Sequence, residues 1–279
     1  MAVFQRARNQ EQREARRQAI LGAAAAMLAE MPVAEVTLNE LSRRSGLAKS
    51  NVLRYFESRE AVLLELLDAA WQAWLVQLDR DLAGTVDPAA PVAERSGQLA
   101  ATVAASLNSR PMLCDLLSAQ AAVLERNVSP QVAAQYKRAS LAGIAALGDL
   151  MHTCVPELGQ PDAVKLAGAT IMTTGALWPH TQPSAAMLAA YEADPELEAM
   201  RLDFTATLRE VLEVMTAGLL ARGGRRPLAP RTGCVRSACR PRARRGRDRA
   251  ASRWPGGGRC SRPRTRRWGS RGRRYARWA

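Results

Sequence analysis

Residues 37–60, TLNELSRRSGLAKSNVLRYFESRE, read as two short helices hinged at Gly46 and followed at once by the start of a third. Thr37 and Glu40 make a T-x-x-E capping box, which opens a helix by satisfying orphan backbone N–H groups. Leu38 and Leu41 supply that helix's apolar face, and Gly46 ends it, because glycine carries no Cβ to oppose a left-handed backbone. Leu47 is the apolar plug of the turn. A second helix follows over Lys49–Tyr55, with Val52 and Phe56 four apart on its buried side. Lys49, Ser50, Asn51, Arg54 and Tyr55 then face outward, and each is a hydrogen-bond donor with no acid among them. Such a face suits a helix lying in a DNA major groove, whereas an ordinary surface hairpin scatters Asp and Glu over it.

At its N-terminal end, Lys49, Ser50 and Asn51 are placed to reach base edges. Asn pairs bidentately with adenine, and Lys favours guanine O6 and N7. Arg54 and Tyr55 lie further along, within reach of bases or phosphates, and Arg59 is a candidate phosphate contact at the start of the next helix. Thr37, Asn39 and Arg43 complete the candidate DNA-binding set. Arg43, Arg44 and Arg59 admit the alternative reading of solvated surface charges.

Residues 16–67 resemble the DNA-binding domain of the tetracycline-repressor (TetR) family of bacterial transcription regulators. The marks are an opening helix with Ile20 and Ala24, the Thr37-Leu38 helix start, and Ser45-Gly46-Leu47. Lys49-Ser50, Arg54-Tyr55-Phe56 and Ser58-Arg59-Glu60 follow in order. The resemblance implies an all-helical homodimeric repressor of pseudo-palindromic operators, with a variable C-terminal domain for a small-molecule effector. The chain departs from the family pattern at Leu53, where an aromatic commonly contacts phosphate, and Tyr55 is the substitute. Asn51 replaces the commoner Thr, and Ala48 stands where a Ser cap is usual.

Outward from this segment, the fold class reads as all-α: no strand-like alternation of useful length occurs. The boundaries expected are a flexible arm over 1–13, the DNA-binding domain over 14–67, a ligand-binding and dimerisation domain over 68–222, and a disordered tail over 223–279. Helix one should run from about Glu14 to Glu30, ended by Pro32, and Arg6, Arg8 and Arg13 could trail along a DNA backbone. Ser58 caps a long helix to about Leu82, the natural lever between head and body. Further helices are expected over Pro91–Asn108, Arg110–Asn127, Pro130–His152 and Asp162 to Trp178, then a proline-spaced loop, then Glu196–Arg222.

The formal charge of +14 is uneven. Residues 223–279 hold 20 Arg, no Lys and one acid, while residues 1–222 hold 20 basic against 25 acidic side chains. A tail of Arg, Gly, Pro and Ala cannot bury enough apolar surface to offset its ordering entropy. It is either a basic arm adding non-specific phosphate affinity or the product of an out-of-frame, GC-rich reading. A protein binding nucleic acid mainly through this tail is the rival reading.

Five cysteines at irregular spacing (Cys114, Cys154, Cys234, Cys239, Cys260) do not suggest a disulfide framework, and no residue set asks for a metal or cofactor. Neither a nucleophile elbow nor a Ser/His/Asp order supports an enzyme. No run approaches the length of a membrane span and no secretory signal is recognisable, so a cytoplasmic, nucleoid-associated protein is expected.

By analogy with the family, Trp71, Trp74, Met112, Gln120, Tyr136, Met151, His152, Met172 and Trp178 are the candidate effector pocket, with plain core packing as the alternative. Gly168, Ile171 and Gly175 on one small-residue helix, with Leu208, Val211, Leu212 and Met215 on the last, are the candidate dimer interface.

Overall fold

Ser58 accepts a hydrogen bond from the Ala61 amide at 3.1 Å and so starts the central helix, α4 (Arg59–Thr85). Around it the computed structural model describes residues 2–223, with side chains from residue 10 onward. The first unit is α1 (Ala2–Leu28), a 3₁₀ turn over Val33–Glu35, α2 (Leu38–Arg44) and α3 (Lys49–Tyr55). The body comprises α5 (Val92–Asn108), α6 (Pro111–Ala119), a π-helical turn over Gln120–Leu124, α7 (Pro130–Cys154) and α8 (Gln160–Leu177). A 3₁₀ turn over Trp178–Thr181, α9 (Ala185–Ala193), a single turn α10 (Pro195–Glu198) and α11 (Phe204–Gly223) complete it. The described residues form an all-helical chain without strands.

Ile20, Ala24 and Met27 of α1 pack with Leu41, Val52, Phe56, Val62 and Leu63 to make the core of the three-helix head. One α4 face then continues inward through Leu67, Trp71, Trp74, Leu78 and Leu82 and packs on α5, α6 and α7. α4 is long and apolar enough by composition to cross a membrane, but most of its large apolar side chains are buried in this core. Trp74 is fully enclosed and donates from Nε1 to Ser106 Oγ at 3.0 Å, so its one polar atom is satisfied. Arg95 ties the far end together: its guanidinium donates to the Ala90 and Cys154 carbonyls and to both Glu157 oxygens. That pairing holds the Glu157 carboxyl below the usual range.

Several expected boundaries shift. α1 begins at Ala2 rather than Glu14, so residues 2–13 continue a helix instead of forming a loose arm; its run QRARNQEQREARRQ is polar, but every residue in it tolerates a helix. The helix expected over 110–127 breaks after Ala119 into the π turn. The proline-spaced segment contains α9, capped by Ser184, because prolines at 179, 183 and 195 leave eleven residues free between the last two. The final helix starts at Phe204, not Glu196. Cys234, Cys239, Cys260, the side chains of Arg6 and Arg8, and the Arg-rich tail from Gly224 onward lie outside the described residues.

Candidate nucleic-acid interface and body cavity

The α2–α3 hinge is built by backbone bonds. Leu47 N–H donates to the Ser42 carbonyl (3.2 Å) and Gly46 N–H to that of Arg43 (3.3 Å), the paired pattern of a glycine-terminated helix, with Gly46 at φ +66°. The Ser42 hydroxyl, donating to the Leu47 carbonyl at 2.6 Å, locks the turn. At the other end of α2, Thr37 Oγ1 accepts from the Glu40 amide at 3.2 Å. The capping box is one-sided, because the Glu40 carboxylate turns instead to Arg43 and Arg44. Those guanidinium groups hold the Glu40 carboxyl down to about 2.

Val52 and Phe56 anchor α3 to the core. Its opposite side presents Lys49, Ser50 and Arg54 exposed and Asn51 and Tyr55 half-buried, and the side chains of Lys49, Ser50, Asn51 and Arg54 have no partner among the described residues. Leu53, 42% exposed, stands among them as an apolar element. Thr37 and Asn39 are both exposed at the start of α2.

The arginines divide sharply. Arg43 is neutralised by Glu40, and Arg44 bridges Glu30 and Glu40. Arg59 turns inward, donating to the Val36 carbonyl at 2.7 Å and pairing with Glu60, so it serves as a brace rather than an outward phosphate contact. Arg13, Arg16 and Arg54, by contrast, line one open groove with Gln12 and Tyr55, and none has a partner among the described residues. The helical continuation of α1 upstream of Glu14 is what brings Arg13 beside α3, next to Arg16 of the expected helix. The sequence placed Arg13 only in a trailing arm and passed over Arg16; a 3.6-residue projection of the expected helix would have found Arg16, and its extension upstream of Glu14 would have found Arg13.

Sequence reasoning also missed Arg17. It bonds both carboxylate oxygens of Glu65, from Nε to Oε1 at 2.8 Å, donates from Nη1 to the Tyr55 carbonyl and covers the Phe56 ring. One side chain thereby joins α1, the end of α3 and α4.

In the body, Trp71, Gln120 and Tyr136 meet at a small cavity of about 70 Å³, together with Leu67, Asp68, Leu117, Ser140, Ile144 and Ile171. Gly143 lets α7 approach: a Cβ there would lie 2.4 Å from Trp71 Nε1. Burial pushes the Tyr136 phenol up to about 12, which keeps it neutral. The remaining pocket candidates are elsewhere. Trp74 and Met151 are enclosed core, and Trp178 stacks edge-on with Phe204 at 5.1 Å. Met112 and His152 are half-buried away from the cavity, and Met172 is 71% exposed. Apolar spacing alone could not separate cavity from core, since both use one helix face.

The interface candidates also divide. Leu208 and Leu212 are buried within the subunit, where α11 packs on α5, and Gly175 meets the Leu117 carbonyl of α6, where an added Cβ would lie at 3.0 Å. Ile171 lines the cavity. Val211 and Met215 are half-buried, Gly168 has open space above it, and Met172 and Val214 are the exposed large apolar residues of α8 and α11. Cys114 is enclosed, its thiol pushed up to about 12 by burial, and Cys154 is half-buried. No group of three metal-ligating side chains occurs among the described residues.

Comparison with known proteins adds to this geometry. Residues 20–66 match a family model described as bacterial regulatory proteins, tetR family, and residues 68–223 match one described as tetracyclin repressor-like, C-terminal domain. No curated protein sequence matches the chain. Among solved structures, a TetR transcriptional regulator from Rhodococcus sp. RHA1 is 14% identical, with 74% of this chain and 96% of that one covered and a TM-score of 0.47. FadR from Thermus thermophilus, in complex with lauroyl-CoA, is 18% identical, with 78% and 99% covered and a TM-score of 0.46.

Proposed function

The chain belongs to the tetracycline-repressor family of transcriptional regulators, and from that membership we propose that it is a ligand-responsive repressor that binds a pseudo-palindromic operator as a homodimer. One observation carries the reading: α3 is held rigidly by Val52 and Phe56 while Lys49, Ser50, Asn51 and Arg54 have no partner among the described residues. Side chains that pair with nothing among the described residues are free to pair with bases. Asn51 and Lys49 read base edges, while Arg54, Tyr55, Arg13 and Arg16 hold the flanking phosphates. Thr37 and Asn39 contribute at the start of α2, and Arg43 does so only by leaving Glu40.

Two such heads reach successive major grooves when the bodies pair through the outward residues of α8 and α11. Gly168, Met172, Val211 and Val214 are the interface under this reading. A small molecule in the body shifts the balance between two head spacings, provided it binds one conformer better than the other. Binding by the head and body, without enzymatic chemistry, in the cytoplasm and on the nucleoid, accounts for the residues so arranged.

The test is enrichment of duplex fragments on purified protein, followed by titration of the enriched duplex. Lys49→Ala and Asn51→Ala should each weaken it by about 1–3 kcal/mol and relax base preference at one position. Wild-type affinity in both variants would remove α3 as the reading element.

A further inference from the structure

The cavity between α4, α6 and α7 carries a charge pattern that selects its ligand. Its inner part is lined by Leu67, Leu117, Ile144 and Ile171 with the faces of Trp71 and Tyr136. Among the described residues, Asp68 is the single carboxylate in that lining and no cationic side chain lines it. The Gln72 amide approaches Asp68 only to 3.5 Å, too long to satisfy a carboxylate. Trp71 is 6% exposed, and its Nε1 has no acceptor among the described residues. That nitrogen faces Gly143 of α7 and, being a donor, is not what a cation completes; the half-buried, under-satisfied carboxylate beside an apolar space is.

Asp68 and Tyr136 also line a second, wider groove of about 560 Å³ between α4 and α7, beneath the end of α3. Glu57, Glu65 and Arg17 stand along it. Arg17 is taken by Glu65, which leaves Glu57 and Asp68 without an ion pair among the described residues. Glu57 accepts a hydrogen bond from the Ser129 amide. Lys137 lies 5.8 Å from the Tyr136 ring centroid but is neutralised by Glu125. Asp68 and Tyr136 line both spaces, so the carboxylate stands between an apolar cavity and an acidic groove.

We propose that this cavity takes a lipophilic amine, its apolar end among Leu117, Ile144 and Ile171 and its ammonium against Asp68. The aromatic faces of Trp71 and Tyr136 reinforce a cation there, whereas a carboxylate ligand would face Asp68 across a poorly solvated space. The proposal rests on the reading of the body as an effector domain and names the class of effector.

The probes are n-butylamine, butan-1-ol and butyrate, which share one slim apolar end suited to a cavity of about 70 Å³ and differ in charge, titrated into the full chain by calorimetry. The amine should bind about tenfold or more tighter than the alcohol, and the carboxylate weakest. In Asp68→Asn, checked for native helix content, the amine-to-alcohol ratio should fall to near one. A carboxylate that binds as well as the amine, an unchanged ratio in Asp68→Asn, or no binding by any of the three would overturn the assignment. Operator titration with and without the amine separates the two readings. Asp68-dependent amine binding by a chain that retains no operator supports the cavity assignment and removes the regulator, whereas amine binding that weakens operator binding supports both.

Discussion

Arg17 Nη1 donates to the carbonyl of Tyr55, the last residue of α3, at 3.1 Å, and its guanidinium lies 4.4 Å from the Phe56 ring centroid. With Glu65 holding its other nitrogens, one α1 side chain fixes the angle at which α3 leaves the head. A charged hydrogen bond and a cation–π contact together contribute roughly 2 kcal/mol at a half-buried site. Arg17→Ala should lower head stability by about that amount and weaken operator binding although Arg17 faces no DNA. Denaturant unfolding beside operator titration checks this; unchanged stability would mean the clamp is idle.

Arg13, Arg16 and Arg54 lack partners among the described residues, while Arg43, Arg44 and Arg59 are paired. Alanine at Arg13 or Arg16 should each lower the slope of log affinity against log salt by about 0.9, the share of one neutralised phosphate, on operator and random duplex alike. Arg59→Ala should act mainly on stability, because it removes the brace to the Val36 carbonyl. A salt slope unmoved in both Arg13→Ala and Arg16→Ala would take α1 off the DNA.

Val214 is 67% exposed on α11, two residues from both Leu212 and Thr216 and so on the side of the helix opposite their buried face. Val214→Glu should leave the subunit folded and convert a dimer to a monomer in sedimentation at micromolar concentration, because a charge would be trapped without a partner. Leu212→Glu should unfold the subunit instead. A dimer surviving Val214→Glu would place the interface elsewhere.

Glu40 is held down to about 2 by hydrogen bonds from Arg43 and Arg44. A depressed carboxyl stabilises the fold above its ordinary value of 4.5, and that contribution fades as pH falls from there toward 2. The stability difference between wild type and Glu40→Gln should therefore shrink across this window in acid titration. A constant difference would mean that the arginines do not depend on its charge.

The head was legible because its signals are local: Thr37, Gly46 and Ser58 cap or end helices through their own backbones, and Val52 and Phe56 show their spacing. The all-helical class followed from the same periodicity. What stayed hidden depends on partners distant in sequence. Arg59 and Arg17 carry the same charge as Arg54, and only the positions of Val36, Glu65 and Tyr55 decide which points inward. Leu208 and Leu212 form a clean stripe, yet α5 covers it within the subunit. Asp68 gave no signal, since a lone acid on a helix acquires meaning only beside Trp71 and Tyr136.

The most direct test of operator reading by paired heads is hydroxyl-radical footprinting of the enriched duplex. The account predicts two protected patches related by a dyad, with centres one helical turn or a multiple of it apart, about 10 base pairs per turn. Both should vanish in the Lys49→Ala, Asn51→Ala double variant at a concentration where wild type saturates. A single asymmetric patch, or protection unchanged in the double variant, would contradict it.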